Sequence, residues 1–360
     1  MAMTSKERIQ RILKHQPVDR IGLYEHFWND TARTYHEKGF VGEDESLELH
    51  FDLDFLEHWS LNLVADLDYV PEILSETEDT MTIRDGNGAI LKRHKHHDTT
   101  PEHIGFTVQC GDDWQKIRHF FLEPDERRID FAGYRRMKQL AAEHNKFFCF
   151  SGVNVFETIH PICGHENMLY GMAAEPEWIV DMVEVLSALS INLLQILFAR
   201  EGLPDGIWYY EDMGYKGTPF MSPAMYRELI MPGHIRTIDF AHSLGLPVIM
   251  HSCGFIEPLL PHMIEAGIDC LQVIEIKAGM DLLRIHKEFG DKIVLMGGID
   301  VRKLYGNDLR EIDEELEAKI PIVKQGYGFV LHSDHSIPRT VDYETLRYFI
   351  EKGLALGQYA

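Results

Sequence analysis

The chain has 360 residues, 45% of them hydrophobic and 26% charged, enough apolar material for one large core or two modest ones. Its formal net charge of −23 excludes the usual basis of nucleic-acid binding, Lys and Arg set against phosphates, and argues against an anionic membrane surface. No run approaches the ~18–20 uninterrupted apolar residues of a membrane span, and MAMTSKERIQ lacks the apolar stretch of a secretory signal, so the expectation is a cytoplasmic protein.

Thr4 and Glu7 have capping-box spacing ahead of Ile9, Ile12 and Leu13, which predicts a short amphipathic helix ended by Pro17. Strand-like apolar runs that close on polar residues come after it at 21–28, 147–154, 206–213, 247–253, 270–276, 293–300 and 327–335. Between them the pattern is helical: 176–201 runs from Pro176 to Gly202, Ser222-Pro223 opens a helix that Pro232 should kink, and Asp281 to Gly290, Asp308 to Gly326 and Asp342 to Gly357 bracket three more. Apolar strands alternating with helices imply parallel β/α units. Seven visible strands, with one to be found, over more than the ~250 residues typical of the fold predict a (β/α)8 TIM-type barrel, with a doubly wound open sheet as the competitor. The stretch 69–125 differs: it alternates around Asp85-Gly86-Asn87-Gly88, a hairpin signal, and reads as an antiparallel insertion within a single domain spanning 1–360. The five cysteines, Cys110, Cys149, Cys163, Cys253 and Cys270, are odd in number and scattered, which fits reduced thiols.

In such a barrel the active site lies at the C-terminal ends of the strands. Those ends collect Glu25 and His26; Asn154, with Glu157 beyond it; Glu211 and Asp212; His251 and Cys253; Glu275; Asp300; and His332, Asp334 and His335. Residues two apart on a strand share a side, so His251 and Cys253 can face the mouth together, an imidazole and thiolate pair suited to zinc. The competing reading is a buried cysteine and a hydrogen-bonded histidine at a strand end. Glu211 and Asp212 are adjacent, so only one should point inward. Trp28, Tyr210 and Tyr215 offer walls for a pocket, or core. The segment His94-Lys95-His96-His97-Asp98 reads as a solvated loop.

PVDRIGLYEHFW, GVNVFETIHPICGHENMLYGM, EDMGYKGTPFMSPAMYRELIMP, HSCGFIEPLLPHMIEAGIDCLQVIEIKAGMD, GGIDVRKL and HSDHSIPRTVDYETLRYFIE together resemble the uroporphyrinogen decarboxylase superfamily over nearly the whole chain. That superfamily has a β/α barrel and contains both the haem-pathway decarboxylase and zinc-dependent methyltransferases that work with corrinoid proteins. The arginine-rich segment of the decarboxylase is replaced here by YEHFWNDTARTYHEKG, so the resemblance is to the methyltransferase branch.

The resemblance implies zinc held by His251 and Cys253, which match that branch's His-x-Cys-Gly. Its third ligand, a cysteine near the last strand, is missing; Asp334 stands at that position, with His335 and Glu211 as alternatives. The reaction it implies is methyl transfer from a small methoxylated substrate, aromatic ethers included, to cobalamin carried by a separate corrinoid protein. Glu211, Asp212 and Glu275 are expected as catalytic groups, and Glu25, His26, Trp28, Tyr210 and Tyr215 as substrate contacts. A metal-independent decarboxylase or lyase of a small carboxylic acid, and a non-catalytic binding protein, are the other readings of the same residues.

Overall fold

Strand and helix alternate along the chain much as the hydrophobic pattern predicts. The computed structural model describes residues 3–96 and 100–359. Strands β1 (Gly22–Leu23) and β2 (Phe55–Trp59) come first, then β3 (Glu72–Glu76), β4 (Thr80–Arg84), β5 (Ile90–His94) and β6 (Glu102–Gly105). They are followed by β7 (Phe147–Val153), β8 (Gly206–Tyr210), a short hairpin of β9 (Gly214–Tyr215) and β10 (Thr218–Pro219), then β11 (Val248–Ser252), β12 (Cys270–Val273), β13 (Val294–Gly297) and β14 (Phe329–Leu331).

Eight of these form one parallel sheet in the order β1-β14-β13-β12-β11-β8-β7-β2, so chain neighbours are sheet neighbours and the two ends are the first two strands. The eighth strand is β2, which the hydrophobic pattern does not reveal: FLEHW turns polar after two residues. Between β1 and β2 there is no ladder. The gap is bridged by the Asp54 N–H donating to the Leu23 carbonyl at 2.9 Å and the Leu23 N–H donating to Asp54 Oδ2 at 2.8 Å. Asp54 is fully buried and also accepts from Arg8 at 2.8 Å and from Arg20 at 2.8 and 3.0 Å. Arg8 belongs to the first helix, Ser5–Ile12, which does carry the Thr4–Glu7 capping box. One carboxylate therefore ties the opening helix, β1 and β2 together.

The insertion is larger than a hairpin. The predicted Asp85-Gly86-Asn87-Gly88 turn joins β4 to β5, and β3 and β6 flank them in the order β3-β4-β5-β6, all antiparallel. The helix predicted from Ser222 is interrupted as Pro232 demands: Pro223–Met225 leads into a π-helical turn, Tyr226–Ile230, before Met231–Ser243, because a proline has no N–H to continue the ladder. The 26 residues of the helix Pro176–Glu201 are, by length and composition alone, apolar enough to cross a bilayer, although polar residues such as Asp181 and Glu184 interrupt them. Here the helix packs in the outer ring against its neighbouring helices, with Leu189, Leu193 and Leu197 buried.

Removing the shared acceptor would leave the Arg20 guanidinium without its carboxylate partner and Arg8 with Asp19 alone. Asp54→Ala is expected to cost about 3–5 kcal/mol of stability, read as a lower urea midpoint; an unchanged midpoint would show that the seam is held in some other way.

Candidate functional site

Inside the barrel, side chains alternate along each strand, and the inward ones stack in layers. The lower layer is aromatic: the ring of Trp208 lies 5.2 Å from Tyr24 and 5.8 Å from Phe55, and Phe55 is 5.5 Å from Phe147. Two residues further along the strands the layer becomes polar. His26 Nδ1 is 3.0 Å from His332 Nε2, and His26 Nε2 is 2.8 Å from the Tyr210 hydroxyl. Glu57 accepts from Tyr210 at 3.1 Å, from Tyr24 at 3.2 Å and from Ser151 at 2.5 Å. Burial alone would raise the Glu57 carboxyl, but His26 and these hydroxyls hold it below the ordinary range.

His251 belongs to the same layer. Its Nδ1–H donates to Gln272 Oε1, and the Gln272 amide donates to His332 Nε2 at 3.3 Å. Fixing the proton on Nδ1 leaves Nε2 free as a donor atom. That Nε2 lies 3.2 Å from Cys253 Sγ and 3.1 Å from Asp212 Oδ1. The three ligand atoms fall within 4.8 Å of one another, a mixed nitrogen, sulfur and oxygen set of the kind that fits zinc. The electrostatics couple the three groups to one another. Burial opposes charge on all three, yet Cys253 and Asp212 raise His251 well above an ordinary imidazole, and His251 holds Asp212 down at about 2. Burial pushes the Cys253 thiol up, with His251 pulling against it.

Of the two adjacent carboxylates, Asp212 is the one that reaches the mouth. Glu211 turns the other way, fully buried, and accepts from the Phe156 and Glu157 N–H groups at 2.9 and 2.8 Å and from His234 at 2.7 Å. It caps the helix Val155–Ala174 and is neither ligand nor acid here. Asp334 is also corrected: its oxygens take the N–H groups of Val301 and Ile276, both at 2.8 Å, and it is not a member of the ligand cluster. Glu275 accepts from the Gly254 N–H at 2.6 Å and pairs with Lys277 at 3.1 Å, so it holds the turn after Cys253 rather than facing a substrate. Glu25 accepts from Ser333 N–H and Oγ at 2.6 and 2.8 Å. Asn154 bonds Thr237 and Asp300 pairs with Arg302. Tyr215 is 60% exposed on the β9–β10 hairpin, bridged to Phe255, and lines no part of the cavity at the mouth.

That cavity, of about 250 Å³, opens above the cluster, lined by His26, Trp28, Tyr210, Asp212, His251 and Cys253, closed further by Gln272, His332 and His335. His335 stacks on Trp28 with ring centroids 5.9 Å apart. Thr100 of the insertion is part of the wall. Sequence reasoning missed Glu57 and Gln272; the second is an amide within an apolar run, with no signal beyond its parity with the strand end. His94 ends β5 and His96 is exposed, neither lining the cavity; His97 and Asp98 lie outside the described residues.

The family model for uroporphyrinogen decarboxylase (URO-D) matches residues 156–353. A methylated-thiol–coenzyme M methyltransferase from Methanosarcina mazei is 30% identical over 152 residues, 42% of this chain and 38% of the relative's own length; the chain thus aligns with well under half of that protein. A methyltransferase from Methanosarcina mazei of known structure superposes with a TM-score of 0.65 at 15% identity, covering 97% of this chain and 98% of that one, a likeness of fold.

Glu25 gives a test of how the mouth is held. Burial lifts its carboxyl to about 8, with the Ser333 hydrogen bonds opposing and Asp334 adding. The folded state then holds this proton more tightly than the unfolded chain, so the group's contribution to stability is complete below the ordinary carboxyl range and is lost as pH rises toward about 8. Glu25→Gln should remove that slope, and the stability difference between wild type and variant, measured by urea denaturation, should move in the variant's favour between about pH 5 and pH 8. Parallel pH profiles would contradict it.

Proposed function

The chain belongs to the uroporphyrinogen decarboxylase (URO-D) family, and from that footing we propose that it transfers a methyl group from a small methoxylated compound to a corrinoid carried by a separate protein. The observation that carries this reading is the convergence of His251 Nε2, Cys253 Sγ and Asp212 Oδ1 on one point of the barrel mouth. These three would hold zinc, with Asp212 in the place that the sequence assigns to Asp334. When bound, zinc supplies Lewis acidity toward the heteroatom of the methyl donor, and a set with one thiolate favours oxygen over sulfur there.

The chain's own groups do the rest. Gln272 fixes the tautomer and plane of His251, and Cys253 is placed by its N–H, which donates to Asp212 Oδ1 at 2.9 Å. The stacked pair of Trp28 and His335 offers a flat wall suited to an aromatic methyl ether. The Tyr210 hydroxyl, in the cavity wall, donates to Glu57 and contacts His26, which continues to His332, so a chain of proton-bearing groups would adjoin the leaving oxygen. The corrinoid partner would cover the mouth, because the sequence has no Asp-x-His-x-x-Gly pattern of its own. A reducing, cytoplasmic setting would keep Cys253 free of disulfide and open to a metal.

Two features argue against the family's decarboxylation of a large tetrapyrrole. A volume of about 250 Å³ falls below the ~300–1,000 Å³ of ordinary ligand pockets. Among the described residues, the cavity wall carries no Arg or Lys to meet a substrate rich in carboxylates.

The test is to give the purified chain a reduced corrinoid protein with a panel of methoxylated phenols and methyl thioethers, and to follow methylcobalamin by absorbance. Transfer is expected from the methoxylated compounds. Cys253→Ala should abolish it, and Gln272→Ala should lower metal affinity or rate by roughly 10–100-fold. Transfer from thioethers alone would overturn the choice of donor, and none from zinc-loaded protein would overturn the function.

A further inference from the structure

A second group of potential ligands sits beside the first, on the helix Val155–Ala174. Glu157, His160 and His165 bring one ligand atom each within 4.8 Å of the others. Glu157 and His160 are three apart and share a helix face, but residues 160 and 165 are five apart and in an unbroken helix would point to widely different faces. The helix is not unbroken: Gly164 has φ 78° and ψ 154°, a left-handed, extended conformation that a side chain would resist. A Cβ there would also meet the Phe106 ring at 2.3 Å. This break turns His165 back until its ring stacks on that of His160, centroids 4.2 Å apart.

Each of the three residues also carries a polar atom left without a partner. Glu157 Oε1, His160 Nδ1 and His165 Nε2 are all buried and, among the described residues, none has a hydrogen bond. Glu157 Oε1 and His160 Nδ1 approach to 3.3 Å without hydrogen-bond geometry. Three buried polar atoms in one cluster of residues, none satisfied, are costly in a protein core and are what a cation would satisfy together. The nitrogen and oxygen donors, with no thiolate, suit a divalent first-row metal of borderline hardness.

We propose that Glu157, His160 and His165 form a second metal site, which takes a divalent transition-metal ion through one carboxylate oxygen and two imidazole nitrogens. The ion would lock the break in this helix. Through it the insertion is held as well, because His103 of β6 lies against His160, ring centroids 5.5 Å apart, and Phe106 fills the space left by Gly164.

Cobalt(II) separates the two sites by spectrum, since only a site with Cys253 can give thiolate-to-metal charge transfer. Titration of the full chain with Co(II) should load two ions, one with the charge-transfer band and one with ligand-field bands alone. Cys253→Ala should lose the charge-transfer band and keep one ion. His160→Ala/His165→Ala, and the milder His165→Asn, should lose the other ion and keep the band, with circular dichroism showing that they fold. One bound ion in wild type, carrying the charge-transfer band and unaffected by the His160 and His165 variants, would overturn the second site. One ion without that band, lost with those variants, would support it while removing the zinc site of the proposed function.

Discussion

Carboxylates that accept backbone N–H groups from the neighbouring unit hold the mouth of this barrel, and the placement of every group there depends on them. Glu25 reaches from the end of β1 to Ser333 beyond β14, Glu211 from the end of β8 to Phe156 and Glu157 beyond β7, Glu275 from β12 to Gly254 beyond β11, and Asp334 from β14 to Val301 beyond β13 and on to Ile276. Where a parallel strand ends, its loop carries N–H groups that no ladder satisfies. A carboxyl group can take two of them; where it is ionised the bonds are charge-assisted, roughly 1.5–3 kcal/mol each, whereas Glu25, lifted by burial to about 8, takes its bonds from Ser333 as the neutral acid below that pH. Asp54 does the same at the opposite end of the strands, where its oxygens and its own N–H join β1 to β2.

This arrangement accounts for what the sequence does and does not disclose. The order of strands is legible because an apolar run succeeded by a turn and an amphipathic helix has few other parallel solutions. β2 is hidden because its third residue, Glu57, already belongs to the polar layer. The strand ends are legible as positions, but a carboxylate placed there has two uses, facing the mouth or stitching one loop to the next, and both ask for the same residue type. Parity correctly allows only one of Glu211 and Asp212 to face inward, and the hydrogen bonds to Phe156, Glu157 and His234 decide which. Asp334 illustrates the limit of matching by position: the resemblance would set it at a ligand position, yet both of its oxygens are committed to backbone.

Two carboxyl groups at the mouth are less fully committed to backbone. Asp212 receives a single backbone bond, from Cys253, and the same oxygen faces His251, so it belongs to the framework and to the ligand set at once. Glu157 Oε1 has no hydrogen-bond partner, and its carboxyl is raised by its burial and by Asp212 and Glu211 nearby, with the Asp212 backbone N–H opposing. Its neighbours His160 and His165 are brought down to about 4 by burial. A carboxyl pushed up beside imidazoles pushed down is a set that resists separate charging, and a dication reverses that preference for all three together.

The insertion is thereby a working part of the barrel. Thr100 lines the cavity, His103 lies against His160, and Phe106 occupies the space that Gly164 leaves open. A segment that touches both clusters cannot move without altering the wall of one and the packing of the other. Under the proposed function a corrinoid protein must bring its cofactor to the cavity past this same segment. The wall of the cavity at Thr100 and the packing around Gly164 are thus set by one segment.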